Sequence, residues 1–279
     1  MKESVLSFDC EGEPLVGILA EPSEGAPSEV GVLIIVGGPQ YRAGSHRQFT
    51  LLARHLASNG FAALRFDYRS MGDSGGEARD FLGVDADIAA AITAFLAARP
   101  ALKRVALWGL CDAASAALLY LDSTRDPRVA GVALLNPWVR SAASLAQTHV
   151  KHYYWRRLRQ GEFWRKLLGG GVGLKAMRTL SSNLRLARGA GKASDTRSFQ
   201  DRMAAGLRDA RAPALLILSG DDYTAKEFID HCATAQAWAG LLGAGQLRRV
   251  DLAAADHTFS DLTQAARVEA ETHNWLVTL

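Results

Sequence analysis

The feature that most constrains this chain is a rhythm of short, continuous apolar runs, each followed by a stretch with helical spacing. VGVLIIV (30–36) precedes FTLLARHLASN (49–59), and AALRFDY (62–68) precedes VDADIAAAITAFLAA (84–98). RVALWG (104–109) leads into a helical pattern from Asp112 to about Leu121, and VAGVALLN (129–136) follows it. Apolar runs of this length suit strands buried on both faces. Their alternation with helices predicts an α/β chain with a doubly wound, mostly parallel sheet. Ahead of the rhythm, Ser4 to Cys10 and Leu15 to Ala20 alternate on either side of EGEP, a hairpin pattern.

The rhythm breaks between residues 139 and about 208, which contain no clear strand. It resumes with ALLILS (214–219), a helix around 225–240, LRRVDL (247–252) and a last helix from about Thr263. The expected organisation is therefore a core of residues 1–138 and 209–279 interrupted by a helical insertion, a cap or lid, over 139–208. With 279 residues, 48% of them hydrophobic, the chain can bury one substantial core. Cys10, Cys111 and Cys232 are widely spaced and form no C-x-x-C pair, which argues against a disulfide framework and for a reducing compartment. The N-terminus lacks an apolar run of signal-peptide length, and no run is long enough to span a bilayer. A soluble, cytoplasmic protein is the expectation.

Charge is uneven. Residues 151–192 hold eleven Lys and Arg against Glu162 alone, a net +10 in a chain whose total is +3, so the remainder carries −7. Such asymmetry suggests an anionic partner or substrate for the insertion. Two glycine-rich stretches there resemble phosphate loops only superficially. GGGVG (169–173) follows no strand, and GAGKAS (189–194) has Leu186 and Ala193 where a Walker A loop needs Gly and Ser or Thr.

Two stretches compete to supply a nucleophile. MGDSGG (71–76) matches G-x-S-x-G and the serine motif of two-barrel proteases. Yet Ser74 sits early in an α/β chain, seven residues past Asp67, in a loop with no helix directly after it. It reads as a tight loop whose glycines supply positive φ. WGLCDAAS (108–115) is different, because a strand ends at Gly109, Cys111 follows two residues later and a helix opens at once. A nucleophile at such a junction needs small residues two before and two after it, here Gly109 and Ala113. A helix N-terminus also favours a thiolate. Ser115, one turn on, reads as a packing residue. Downstream, LLILSGDDYT ends a strand with Asp221 and Asp222, and RRVDLAAADHTFSD presents His257 after the last strand. Nucleophile, acid and histidine thus fall in the order of an α/β-hydrolase.

LRFDYRSMGDSGG is similar to the D-x-R-x-x-G-x-S loop that follows the fourth strand of α/β-hydrolases. Together with VGGPQYRAGSHRQF, GLCDAAS, LLNPWVR, LSGDDYTAKEF and ADHTFSD, it makes essentially the whole chain resemble the exosortase A system-associated hydrolases. Cysteine at the elbow is also similar to dienelactone hydrolase. The resemblance implies an α/β-hydrolase fold with a helical lid and acyl transfer to or from a small-molecule ester or thioester, encoded with an exopolysaccharide and protein-sorting system. It implies Cys111 as nucleophile, His257 as base and Asp222 rather than Asp221 as the acid. It implies Gly38, or next Gln40, beside the N–H of Asp112 in the oxyanion hole, since Pro39 has no N–H. Val36 replaces the usual histidine of such loops. Asp112 either faces the thiol, where its charge opposes a thiolate, or caps its helix and points away.

The insertion would be the lid. Its aromatic residues Tyr153, Tyr154, Trp155, Phe163 and Trp164 would line an acyl or aryl pocket, and its cations would meet a phosphate, carboxylate or carrier protein. Peripheral contact with an anionic membrane ranks lower. Neither a nucleic-acid motif nor metal-ligand spacing is present, and no cofactor is expected. The competing reading is a binding or scaffolding protein that kept this fold without turnover. Rapid alkylation of Cys111 near neutral pH separates the two.

Overall fold

The opening hairpin forms as its alternation predicts, in a computed structural model that describes residues 1–23, 28–38, 40–140, 197–209 and 212–279. Strands β1 (Lys2–Cys10) and β2 (Glu13–Glu21) pair antiparallel from Lys2↔Glu21 to Cys10↔Glu13. Glu11 and Gly12 both have positive φ, 54° and 88°, the requirement of a two-residue type I′ turn.

The remaining strands are β3 (Val30–Ile35), β4 (Ala63–Asp67), β5 (Arg104–Leu110), β6 (Val129–Leu135), β7 (Ala214–Asp221) and β8 (Leu247–Asp256). One eight-stranded sheet runs β1-β2-β4-β3-β5-β6-β7-β8. Apart from β1 and β2, every pairing is parallel except the β2–β4 contact. The apolar runs are buried on both faces, so alternate residues feed two cores. Leu33 and Ile35 join one with Leu107, Leu134 and Leu216, while Val32 and Ile34 join the other with Trp108, Leu135 and Ile217. Helices α2 (Asp85–Ala98) and α3 (Asp112–Thr124) cover the first face, and α1 (Gln48–Ser58) covers the second.

One compact unit comprises Met1–Val139 and Phe199–Leu279. This differs from the sequence-based boundary at residue 208, because α4 (Phe199–Asp209) packs within this unit on α3. The contact is at backbone distance: a side chain at Gly206 would strike the Leu118 carbonyl oxygen. The stretch up to 208 has no apolar strand run, which placed α4 with the insertion, although Met203, Ala204 and Leu207 are buried in the core. Residues 141–196 lie outside the described residues, and with them most of the expected lid, including its aromatic and basic residues and both glycine-rich stretches.

Past β7, the expected helix over 225–240 is α5 (Tyr223–Thr234), followed by single turns at Gln236–Trp238 and Leu241–Gly243. Both β7 and β8 run longer than their apolar cores predicted, which carries Asp221 and Asp256 into register with each other. The last helix, α6 (Leu262–Leu276), returns to the α1 face. Among the described residues no helix is long and apolar enough to cross a membrane.

Candidate active site

Cys111 occupies the joint between β5 and α3 alone, at φ 63° and ψ −124°. A non-glycine residue there stores on the order of 1–3 kcal/mol of strain, which the surroundings must hold in place. They do so through the backbone: Cys111 N–H donates to Leu135 O at 2.8 Å, and its carbonyl accepts from Trp138 N–H at 3.2 Å and Ala114 N–H at 3.1 Å. The sharp turn brings α3 back under the strand. A Cβ on Gly109 would lie 2.6 Å from the Ala113 carbonyl carbon and oxygen, so only glycine fits. Ser115 is fully buried and donates to Trp138 O at 2.7 Å, tying the elbow to the end of β6.

The structure brings His257 and Asp222 to Cys111. Asp222 caps α5, its Oδ1 accepting from Thr224 N–H at 3.0 Å and its Oδ2 from Ala225 N–H at 3.2 Å. That fixes the carboxylate so that Oδ2 also lies 2.8 Å from His257 Nδ1. Burial pushes the Asp222 carboxyl up, but the hydrogen bonds from His257 and the α5 N-terminus outweigh it and hold it below the ordinary range. Asp221, the alternative acid, is exposed. His257 is raised from 6.5 to about 10, first by its bond to Asp222 and then by its bond to the Cys111 side chain, against the opposing effect of burial. The Asp222 carboxylate thus favours the charged form of the ring.

The loop bearing His257 is set by residues that motif reading did not single out. Asn136, fully buried at φ 44°, closes β6 and spans to the neighbouring strands. Its Nδ2 donates to Ser219 Oγ at 2.9 Å and to the His257 carbonyl at 3.2 Å, and its Oδ1 accepts from Ser219 N–H at 2.9 Å. Asp256 accepts from Ser260 N–H at 2.9 Å and Thr258 N–H at 3.2 Å, a local turn that positions the residue between. The signal for Asn136 was a single polar residue ending an apolar run.

The loop after β3 shows a departure. Gly38 N–H, expected to face a developing oxyanion, donates to Asp112 Oδ2 at 2.9 Å. Asp112 therefore neither caps its helix nor points away, since the N-cap position belongs to Cys111. Gln40 accepts from Ser45 N–H through Oε1 at 3.2 Å, which folds the loop on itself. Two residues on, Arg42 ties the loop down: its backbone N–H donates to the fully buried Asp67 at 2.6 Å, and its guanidinium pairs with Asp67 and Asp73.

Ser74 has both hydroxyl functions engaged, donating to Asp67 O at 2.6 Å and accepting from Val16 N–H at 2.9 Å. It is a structural residue of the Arg42–Asp67 loop. Cys10 and Cys232 are buried, and burial pushes the Cys232 thiol up to about 12. Cys111 is the partly exposed cysteine among the three.

Comparison with known proteins bears on this geometry. Residues 32–271 match the family model described as "Alpha/beta hydrolase family". The chain belongs to that family. Solved structures agree on the fold. An esterase of Pyrococcus furiosus superposes with TM-score 0.65 at 15% identity, over 99% of this chain and 92% of that one. A dienelactone hydrolase from Anabaena variabilis gives 0.62 at 16%, over 99% and 97%. An α/β serine hydrolase homologue from Coxiella burnetii gives 0.61 at 13%, over 98% and 97%. No curated protein matches the sequence.

Proposed function

We propose that the chain hydrolyses an ester or thioester through Cys111, His257 and Asp222. One observation carries the reading: His257 Nδ1 lies 2.8 Å from Asp222 Oδ2 while the Cys111 side chain is near enough to the ring to raise its pKa, with Cys111 held on a strained strand-to-helix joint. The sulfur attacks the carbonyl carbon, its proton residing on His257, and the carbonyl electrons move to oxygen. Collapse expels the alkoxide or thiolate, which takes that proton. His257 then draws a proton from water, the hydroxide adds to the thioester, and the Cys111 sulfur leaves as the acid forms. Asp222 keeps Nδ1–H pointing at itself and stabilises the charged ring. The N–H of Asp112 and one from the Gly38–Gln40 loop are assigned to the oxyanion.

The motifs shared with exosortase A system-associated hydrolases suggest an acyl compound handled with exopolysaccharide, anionic or carrier-bound to suit the basic segment 151–192. The second reading, a binding protein without turnover, draws on one observation, the carboxylate of Asp112 on Gly38 N–H.

Intact-protein mass spectrometry with a panel of aryl esters and acyl thioesters tests the proposal. The expected result is an acyl adduct on the wild type that is lost in Cys111→Ala and accumulates in His257→Ala. If no ester or thioester labels the protein, and iodoacetamide modifies Cys111 no faster than a free peptide thiol, the binding reading replaces it.

A further inference from the structure

A tetrahedral oxyanion beside Cys111 needs the N–H groups at the start of α3 and on the loop after β3, and the loop group already holds an oxygen. Asp112 Oδ2 takes the Gly38 N–H at 2.9 Å. The N–H groups of Asp112 itself and of Ala113 also act on this carboxyl, though neither closes a hydrogen bond of normal geometry. Its other oxygen, Oδ1, is buried without a partner. The loop is shaped around it. A Cβ on Gly37 would land on Oδ1 and lie 2.8 Å from Leu110 O and 2.9 Å from Ala113 N, so glycine leaves the space the carboxyl fills.

We propose that Asp112 gates the oxyanion hole: its carboxyl occupies the place of the substrate oxygen in the free protein and must swing out before an acyl group reacts with Cys111. The inference rests on the reading of Cys111 as nucleophile. The positive end of α3 and the loop N–H groups suit either anion, the internal carboxylate or the substrate oxyanion, but not both at once. The carboxyl is also poorly satisfied where it lies. Burial pushes it up against the opposing effect of the Gly38, Ala113 and Asp112 N–H groups and the charge of His257. Tyr68 feels the same charge, being pushed up to about 12 by burial and then by Asp112. A substrate that brings an oxyanion displaces a group that water accepts readily. Reactions at Cys111 that build no oxyanion leave Asp112 in place.

Two reagents separate these cases. Iodoacetamide alkylates sulfur by displacing iodide from an sp³ carbon, with no charge on a carbonyl oxygen. Hexanal adds reversibly: a sulfur–carbon bond forms, the C=O electrons go to oxygen, and the thiol proton stays on His257, so the adduct oxygen carries the charge that the N–H groups would hold. Hexanal affinity, normalised to the iodoacetamide rate, would be measured for wild type, Asp112→Ala and Asp112→Asn. Opening the hole in Asp112→Ala should raise the normalised affinity by at least about tenfold, within the range one oxyanion donor contributes. Asp112→Asn keeps the size and the acceptor for Gly38 and should stay near wild type. A crystal structure of the wild-type hexanal adduct should show the carboxyl off Gly38 N–H and the adduct oxygen on it. The gate is overturned if Asp112→Ala gains nothing, if Asp112→Asn gains as much as Asp112→Ala, or if the adduct forms with the Asp112–Gly38 bond intact. Failure of iodoacetamide to modify Cys111 in any form would overturn the nucleophile reading and the gate with it.

Discussion

His257 couples the site to pH in a direction its partners determine. An unfolded chain releases the imidazole proton near 6.5, whereas the folded protein holds it until about 10. The folded state therefore binds the proton more tightly. Its contribution to stability is fully present below about pH 6.5 and is lost as the pH rises through about 10. The Asp222 bond is the larger of the two causes, so Asp222→Asn should lower the His257 midpoint more than Cys111→Ala does. NMR titration of the His257 ring reads both shifts. Hydrolysis should fall on the order of 10²–10⁴-fold in Asp222→Asn, because an amide no longer fixes the tautomer. A midpoint unmoved by either substitution would mean that the ring charge is set elsewhere.

The site is assembled from the C-terminal ends of parallel strands, and Asn136 is the residue that joins three of them. It links the end of β6 to Ser219 on β7 and to the loop after β8. Replacing it with Ala leaves Ser219 N–H and the His257 carbonyl short of partners and places Ala at a positive φ that Asn tolerates better. Asn136→Ala should cost roughly 2–4 kcal/mol in denaturant unfolding and loosen His257, lowering turnover more than substrate binding. A loss below about 0.5 kcal/mol would show that water replaces these bonds. Strands were the most legible elements, because runs such as Val30–Ile35 and Val129–Leu135 are buried on both faces and admit little but aliphatic residues. The elbow was legible for a related reason, since close approach of α3 leaves room only for glycine at position 109. Asn136 was hidden because one amide after an apolar run also reads as a strand end. The direction of Asp112 was hidden because it depends on Gly37 and Gly38, far away in sequence and close only in the fold.

At the scale of the whole chain, the break in the strand-helix rhythm lies between two positions that meet in the core. Gln200, at the start of α4, donates to the Val139 carbonyl at 3.0 Å and is itself buried. Its own carbonyl accepts from the Trp238 indole at 3.1 Å, and Trp238 stacks edge-on against Phe228 of α5 at 5.2 Å. Helix α4 is thus fixed to α3 and α5 by contacts that do not involve residues 140–198. A flexible linker of about six residues spans roughly 13 Å, ample for ends this close. Replacing residues 140–198 with such a linker should therefore leave a core that unfolds in one cooperative urea transition. The shorter loop itself should contribute on the order of 2 kcal/mol in reduced closure entropy. Iodoacetamide needs no substrate pocket, so its rate with Cys111 should be unchanged within about twofold. If residues 140–198 supply the acyl pocket, turnover of larger thioesters should be lost in the same protein. A core that unfolds without a transition would instead make residues 140–198 part of its folding unit, and full thioester turnover by the shortened chain would place substrate recognition within the core.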